Sequence, residues 1–343
     1  MKSNALRCDV EISKMTVEKT DLTQTIVASC KEIIRETKLI EINEERMREF
    51  ISSIDLDLAK DSSPTIDNIP FKFDNLEQKV TFVALKGYLS FGTSFDKLLK
   101  DAGRDNSSNI MEFGLYTMHI TYHNIKNEIL SNISLSDVSS LFNIPVSYED
   151  KVMDGVYASK PGPLKPLAES IKLVLNDLGN WLSSQKYKSL GSFILQLAKS
   201  CGKNTNEFIR KLSIAQSHFF DVYQYDGKSV YFYKKAQHLA YLLAKNFPNE
   251  VLLNCENLSY FADLKHVAFF QSLGIINICD GFDTCNQQDQ IILSRASLIA
   301  TTDKLISMMS KSDFNNVSLY FYVQRLMAEQ DLNYIEDKET LLF

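Results

Sequence analysis

Glycine and proline are scarce, 12 and 7 in a chain of 343 residues, so few points force a helix to break and no low-complexity tract is present. No apolar run reaches the roughly 18 residues that span a bilayer, which argues against membrane insertion. The six cysteines, Cys8, Cys30, Cys201, Cys255, Cys279 and Cys285, include no C-x-x-C pair. With no signal-peptide pattern ahead of them, they are expected as free thiols in a reducing compartment, the cytoplasm or alternatively the nucleus. Positive charge is also in deficit: the formal net charge is -6 and the pI about 5.5. A long polyanion such as tRNA or duplex DNA therefore finds no electrostatic footprint, whereas a mononucleotide needs only one local phosphate site. The expected partner is a small nucleotide, with no polynucleotide and no membrane; the oligomeric state is not legible. Five histidines include one i, i+4 pair, His119 and His123, without a third ligand at a metal-site spacing and without an H-E-x-x-H glutamate. No metal and no cofactor are expected. P-loop, dinucleotide-binding and nucleophile-elbow motifs do not occur.

What the chain has is apolar residues, 45% of the total, at i, i+3, i+4 spacing in window after window. The spacing predicts a mainly α protein. Residues 1–21 read as a mobile N-terminal arm and 22–343 as the folded domain. Helices are predicted over Thr23–Lys38 behind Asp21 or Thr23, Glu44–Ala59 behind Asn43, and Leu76–Ala102 with a break near Gly92. Others follow over Asn109–Thr121, Asn124–Ser131 and Ser136–Phe142. The proline-rich stretch Ser147–Pro166 reads as a linker or surface loop that could divide two lobes, and D-S-S-P-T-I-D-N at Asp61–Asn68 as another loop. Later helices are predicted over Leu167–Ser184, Ser192–Ser200, Asn206–Ala215, Lys234–Lys245, Leu264–Leu273, Gln287–Met309 and Val317–Glu329. One small β-hairpin is expected, Val222–Tyr233 turning at Asp226-Gly227.

The most informative stretch runs from Tyr225 to Gly274. It reads Y-D-G-K-S-V-Y-F-Y-K-K-A-Q, then L-S-Y-F-A-D-L-K-H, then F-F-Q-S-L-G. An aromatic strand feeds a helix opening on Lys234 and Lys235, and an apolar run later delivers a lone carboxylate, Asp263. This order resembles the queuosine salvage family, whose tracts read F-Y-K-R-A-Q and F-A-D or F-T-D. The likeness continues in A-S-C-K-E-I-I (Ala28–Ile34), I-E-I-N-E-E (Ile40–Glu45), Y-L-S-F-G-T-S-F (Tyr88–Phe95), the G-P-L of Gly162–Leu164 and L-S-R-A (Leu293–Ala296).

The resemblance implies two helical lobes around a cleft, as in the helical DNA glycosylases, and hydrolysis of queuosine 5'-monophosphate to queuine for salvage into tRNA modification. It also implies site roles. Breaking an N-glycosidic bond passes through an oxocarbenium-like transition state, which a nearby carboxylate stabilises. Queuine is a 7-deazapurine, so protonation of that ring position is closed as a route to leaving-group activation. Asp263 takes the anionic role, and its alternative role is N-cap of the helix starting at Leu264. Lys234 serves the phosphate or an acidic partner, or else opens a solvated helix. Phe91, Phe95, Phe232 and Phe261 are candidates to stack on the base, or to fill the core. Ser90 and Lys265 complete the substrate-binding candidates together with Arg295, which, inside an apolar helix, requires an anionic partner in the protein or on the substrate. Departures exist: Ser90 replaces the family's usual Asn, Val267 a frequent Pro, and no acid lies between Asn315 and Ala328, where a second family aspartate is expected and Tyr320 or a neighbour stands. The alternative expectation is a weak or inactive member that binds a nucleotide or base, or serves as an interaction protein.

Overall fold

The computed structural model describes residues 21–57, 71–309 and 314–327. The expected N-terminal arm and the Asp61–Asn68 loop lie outside the described residues, apart from Asp21. Fourteen α-helices and three two-stranded antiparallel sheets make up the described chain, so the mainly helical expectation is met. The chain divides into two compact units. One takes the described residues of Met1–Thr65, Cys201–Ala244 and Leu252–Ile335; the other takes those of Ile66–Ser200 and Lys245–Val251.

The first unit is organised by helix Gln287–Met309, where Ile292, Leu293, Ala296, Leu298, Ile299 and Leu305 are all buried. Its buried residues run without a gap from Ile291 to Thr302, so neighbours cover every face of that stretch and the helix is central. Helix Leu22–Glu36 packs on it through the stripe Leu22, Ile26, Cys30, Ile33, and helix Leu264–Ser272 packs on it as well. Asp21 caps the former through Thr23 N and Asn43 caps helix Glu44–Ser53, as side-chain oxygens at helix starts do. That second helix stops at Ser53, short of the predicted Ala59. The hairpin Val222–Tyr225 with Lys228–Tyr231 forms as expected. Its corner residues Asp226 and Gly227 have φ of 47° and 74°, the paired positive values of a type I′ turn. Beneath it Cys30 is buried, its Sγ 3.8 Å from the Tyr231 carbonyl. A second sheet was not predicted: Ile40–Ile42 pairs antiparallel with Ile276–Ile278. Each strand is three residues long, too short to show its period in sequence.

The second unit is built on helix Lys165–Ser184, whose buried face runs Leu167, Ile171, Val174, Leu175, Leu178, Leu182. Helices Asn127–Asn132 and Leu135–Leu141 pack on it, while Leu76–Tyr88 packs on Ser107–Tyr122. The predicted long helix from Leu76 breaks where expected: Gly92 sits at φ 94°, a short 3-10 turn follows, and Asp96–Asp101 resumes. A side chain at Gly92 would be strained by that φ and would sit 3.1 Å from Leu167 Cδ1.

The stretch Ser147–Pro166 is not a loop. Ser147–Met153 and Val156–Pro161 form an antiparallel hairpin with a register shift between Lys151 and Met153. Almost every residue on both of its faces is exposed, so the sequence shows no alternation of apolar and polar positions. Its Asp154-Gly155 corner was the available signal. The described residues thus hold two hairpins and one long-range sheet, where one hairpin was expected.

Candidate functional site

The first unit brings two stretches of the informative region together. Asp221 precedes the hairpin, whose second strand leads through Phe232 and Tyr233 into helix Lys234–Asn246. A separate run ending Tyr260-Phe261-Ala262-Asp263 leads into helix Leu264–Ser272. Gln237, fully buried in the K-K-A-Q turn, ties the two. Its Nε2 donates to the Phe232 carbonyl and to Ser259 Oγ, both at 2.8 Å, and its Oε1 accepts from Ser259 N at 3.0 Å.

Asp263 caps the helix, the alternative role foreseen for it, and also pairs with Lys234. One carboxylate oxygen caps the helix, accepting from Lys265 N at 3.0 Å; the other accepts from Lys234 Nζ at 2.5 Å. The two side chains keep 18% and 17% of their surface exposed, so solvent reaches the pair while most of it is covered. Burial by itself would raise the carboxyl pKa. The Lys234 charge beside it and the hydrogen bonds from Lys234 and Lys265 outweigh burial and hold it well below the usual carboxylate range. Asp263 is therefore a fixed anion at any physiological pH.

Neutral groups surround it. Burial pushes the His266 imidazole down to about 4. Tyr260 O–H lies 2.6 Å from His266 Nδ1, and Nε2 lies 2.8 Å from Gln324 Oε1, which sets the tautomer: Nε2 donates to the amide oxygen and Nδ1 accepts from the phenol. Tyr320 stacks on His266 with ring centroids 4.6 Å apart and meets Phe261 edge-on at 4.9 Å. Burial, with the Asp263 charge adding to it, pushes the Tyr320 phenol far above the ordinary tyrosine range. Tyr320 is thus a neutral, buried phenol packed on His266 and Phe261.

Arg295 finds its anionic partner in the protein. Nη1 and Nη2 donate to the two carboxylate oxygens of Asp221 at 2.8 and 2.6 Å, and Nε donates to the Ala262 carbonyl at 3.2 Å. The guanidinium lies over the Phe232 ring, 4.0 Å from its centroid, a cation–π contact. Burial opposes the arginine's charge, and Asp221 more than restores it, raising the pKa above its ordinary value. Asp221 Oδ2 also accepts from Lys234 N at 3.0 Å. Next along that helix, burial and then the Lys234 charge push the buried Lys235 down to about 7.

The structure thus gathers Lys234, Phe232, Phe261, Asp263, Lys265 and Arg295 in one unit. Phe232 and Phe261 are fully buried, and Lys265 contributes its backbone N–H to the cap. Ser90, Phe91 and Phe95 belong to the second unit, around the Gly92 break; both phenylalanines are buried and Ser90 is half-buried. Sequence reasoning missed Asp221, Gln237, Tyr260 and His266 as parts of the arrangement. A lone acid in the aromatic run H-F-F-D-V-Y, and the glutamine closing K-K-A-Q, were the signals that could have found the first two.

No curated protein matches the chain. A protein-family model described as queuosine salvage protein matches residues 118–298. The matched span contains Asp221, Lys234, Gln237, Asp263 and Arg295, begins after Ser90, Phe91 and Phe95, and ends before Tyr320.

Proposed function

The chain belongs to the queuosine salvage protein family, and from that premise we propose that it hydrolyses the N-glycosidic bond of queuosine 5'-monophosphate, giving queuine and ribose 5-phosphate. Water supplies its oxygen to the anomeric carbon as the carbon–nitrogen bond breaks, and the departing base takes up a proton. The supporting observation is the Asp263 carboxylate, largely covered yet still reached by solvent, with Lys234 and the Lys265 N–H bonded to it and holding its pKa below the usual carboxylate range. A fixed negative charge in a water-poor setting stabilises a ribosyl cation more than it stabilises the neutral ground state. An acid this strong does not donate the proton to the leaving base; Asp263 acts as an electrostatic partner of the cation and an acceptor that orients water.

Lys234 connects the phosphate to that role. Its ammonium is a point charge on a flexible four-carbon stem. A 5'-phosphate draws it away from Asp263 and leaves the carboxylate less neutralised, so the monophosphate is a better substrate than the nucleoside.

The test is incubation of the purified protein with queuosine 5'-monophosphate and, separately, with the dephosphorylated nucleoside, with free queuine measured by chromatography. Release from the monophosphate is expected, and Asp263→Asn should lower it by about 10²- to 10⁴-fold, the scale of removing one preorganised charge partner. Tight binding by the unaltered protein with no queuine released would sink hydrolysis. It would favour a second reading, a nucleotide-binding member without turnover, which the neutral Tyr320 makes specific.

A further inference from the structure

We propose that the buried Asp221–Arg295 pair is a positioning device that sets Lys234 and Asp263 against each other. The inference deepens the glycosidase reading above and rests on it for its kinetic test.

The polar contacts form a closed ring. Lys234 Nζ holds Asp263 Oδ2; one residue back from Asp263, the Ala262 carbonyl accepts from Arg295 Nε. Arg295 grips Asp221 through both terminal nitrogens, and Asp221 Oδ2 accepts from the backbone N–H of Lys234. One ion pair therefore touches the backbone at or beside both members of the site. The Asp221 backbone carbonyl adds a further tie, accepting from Phe232 N at 3.0 Å. The device is stiff for identifiable reasons. The guanidinium is planar with its donors in a fixed fork, it rests on the Phe232 ring, and the side chains of the pair are only 5% and 3% exposed.

Stability alone does not call for charges here. A buried ion pair is often no more stable than apolar residues of the same volume. What the pair supplies is direction: it fixes the distance between residues 234 and 262 through hydrogen bonds of set geometry. A displacement of about 1 Å between groups that must act together costs on the order of 10² in rate.

Arg295→Lys is the first variant. A lysine keeps one cation against Asp221 but cannot fork to Asp221 and also hold the Ala262 carbonyl. The expected result is a kcat for queuine release about 10- to 100-fold lower per folded molecule, with KM within about threefold. In parallel, ¹³C-carboxylate NMR follows Asp263. In the unaltered protein it stays ionised below the ordinary value of about 3.9, and in the variant it should titrate closer to that value. Asp221→Leu with Arg295→Met is the second variant; it removes both charges together and decides the matter if the lysine variant does not fold. Its kcat should fall at least as far as that of the lysine variant. Folded variants that release queuine at the unaltered kcat, with Asp263 titrating as before, would overturn the proposal. If the unaltered protein releases no queuine, the hydrolytic reading fails by itself and the carboxylate titration alone decides positioning: a shift in the variants upholds it, an unmoved titration overturns it.

Discussion

Two ion pairs lie close together in the first unit and differ in what surrounds them. Asp221–Arg295 is sealed, with side chains 3% and 5% exposed, doubly bonded and backed by an aromatic ring. Asp263–Lys234 is joined by one contact, with side chains 18% and 17% exposed. The sealed pair has its polar atoms satisfied within the protein and is suited to holding; the half-open pair uses a flexible lysine and keeps a surface for an incoming group. The proposed hydrolysis assigns the chemistry to the less finished of the two.

The contrast can be broken from the sealed side first. Arg295→Ala leaves Asp221 as an uncompensated buried charge, so urea unfolding should show a loss of about 3–5 kcal/mol. A loss under about 1 kcal/mol would mean that the pair is not buried as described. Next in size is Lys234→Met, which keeps the aliphatic stem and removes the charge. It should cost about 1–3 kcal/mol at neutral pH, because the carboxylate loses its charged donor. The sign with pH follows from the depressed carboxyl. In the unaltered protein the stabilisation is present above the ordinary carboxyl value and is lost only as pH falls through the lower folded value. In the variant Asp263 takes up its proton sooner, so the stability gap should narrow below about pH 4. A gap that stays constant between pH 7 and pH 3 would show that Lys234 does not set the carboxyl's acidity.

Asp263→Asn sharpens the comparison by separating stability from rate. Asparagine is as good an N-cap as aspartate but gives up the charge pair with Lys234, so the unfolding free energy should fall by no more than the loss of about 1–3 kcal/mol expected for Lys234→Met while queuine release collapses. The smallest effect is expected at an exposed pair on the second unit's hairpin, Lys160–Asp150, with side chains 52% and 42% exposed. Asp150→Ala should change stability by no more than about 0.5–1 kcal/mol, and less in high salt. These variants arrange one kind of interaction along a scale of burial, with thermal and urea unfolding as the common measure.

Local chemistry made much of this arrangement legible in advance. Asp21, Asn43 and Asp263 cap the helices they precede, and the break at Gly92 and the Asp226-Gly227 corner fall where their residues require. What escaped was of two kinds. The hairpin 147–161 exposes both faces, so burial imposes no period-two pattern, and its prolines read as loop. Pairings distant in the chain also escaped. Ile40–Ile42 meets Ile276–Ile278, and Arg295 meets Asp221 from 74 positions away. The need for an anion near Arg295 could be read from one apolar helix; which acid would answer it depends on how the hairpin and that helix pack. The single carboxylate at 263 was visible, but the neutral phenol and imidazole around it were not, because their acidity is a property of burial.

Cys30 carries a practical consequence. Its thiol is pushed up to about 12 by burial and faces the carbonyl of Tyr231, the last residue of the strand that leads to Phe232 and Lys234. Alkylating reagents attack the thiolate, and only when they can reach it. A maleimide added to the folded protein therefore modifies this sulfur only in molecules whose hairpin has momentarily lifted from helix Leu22–Glu36, and the labelling rate becomes a clock for that opening event.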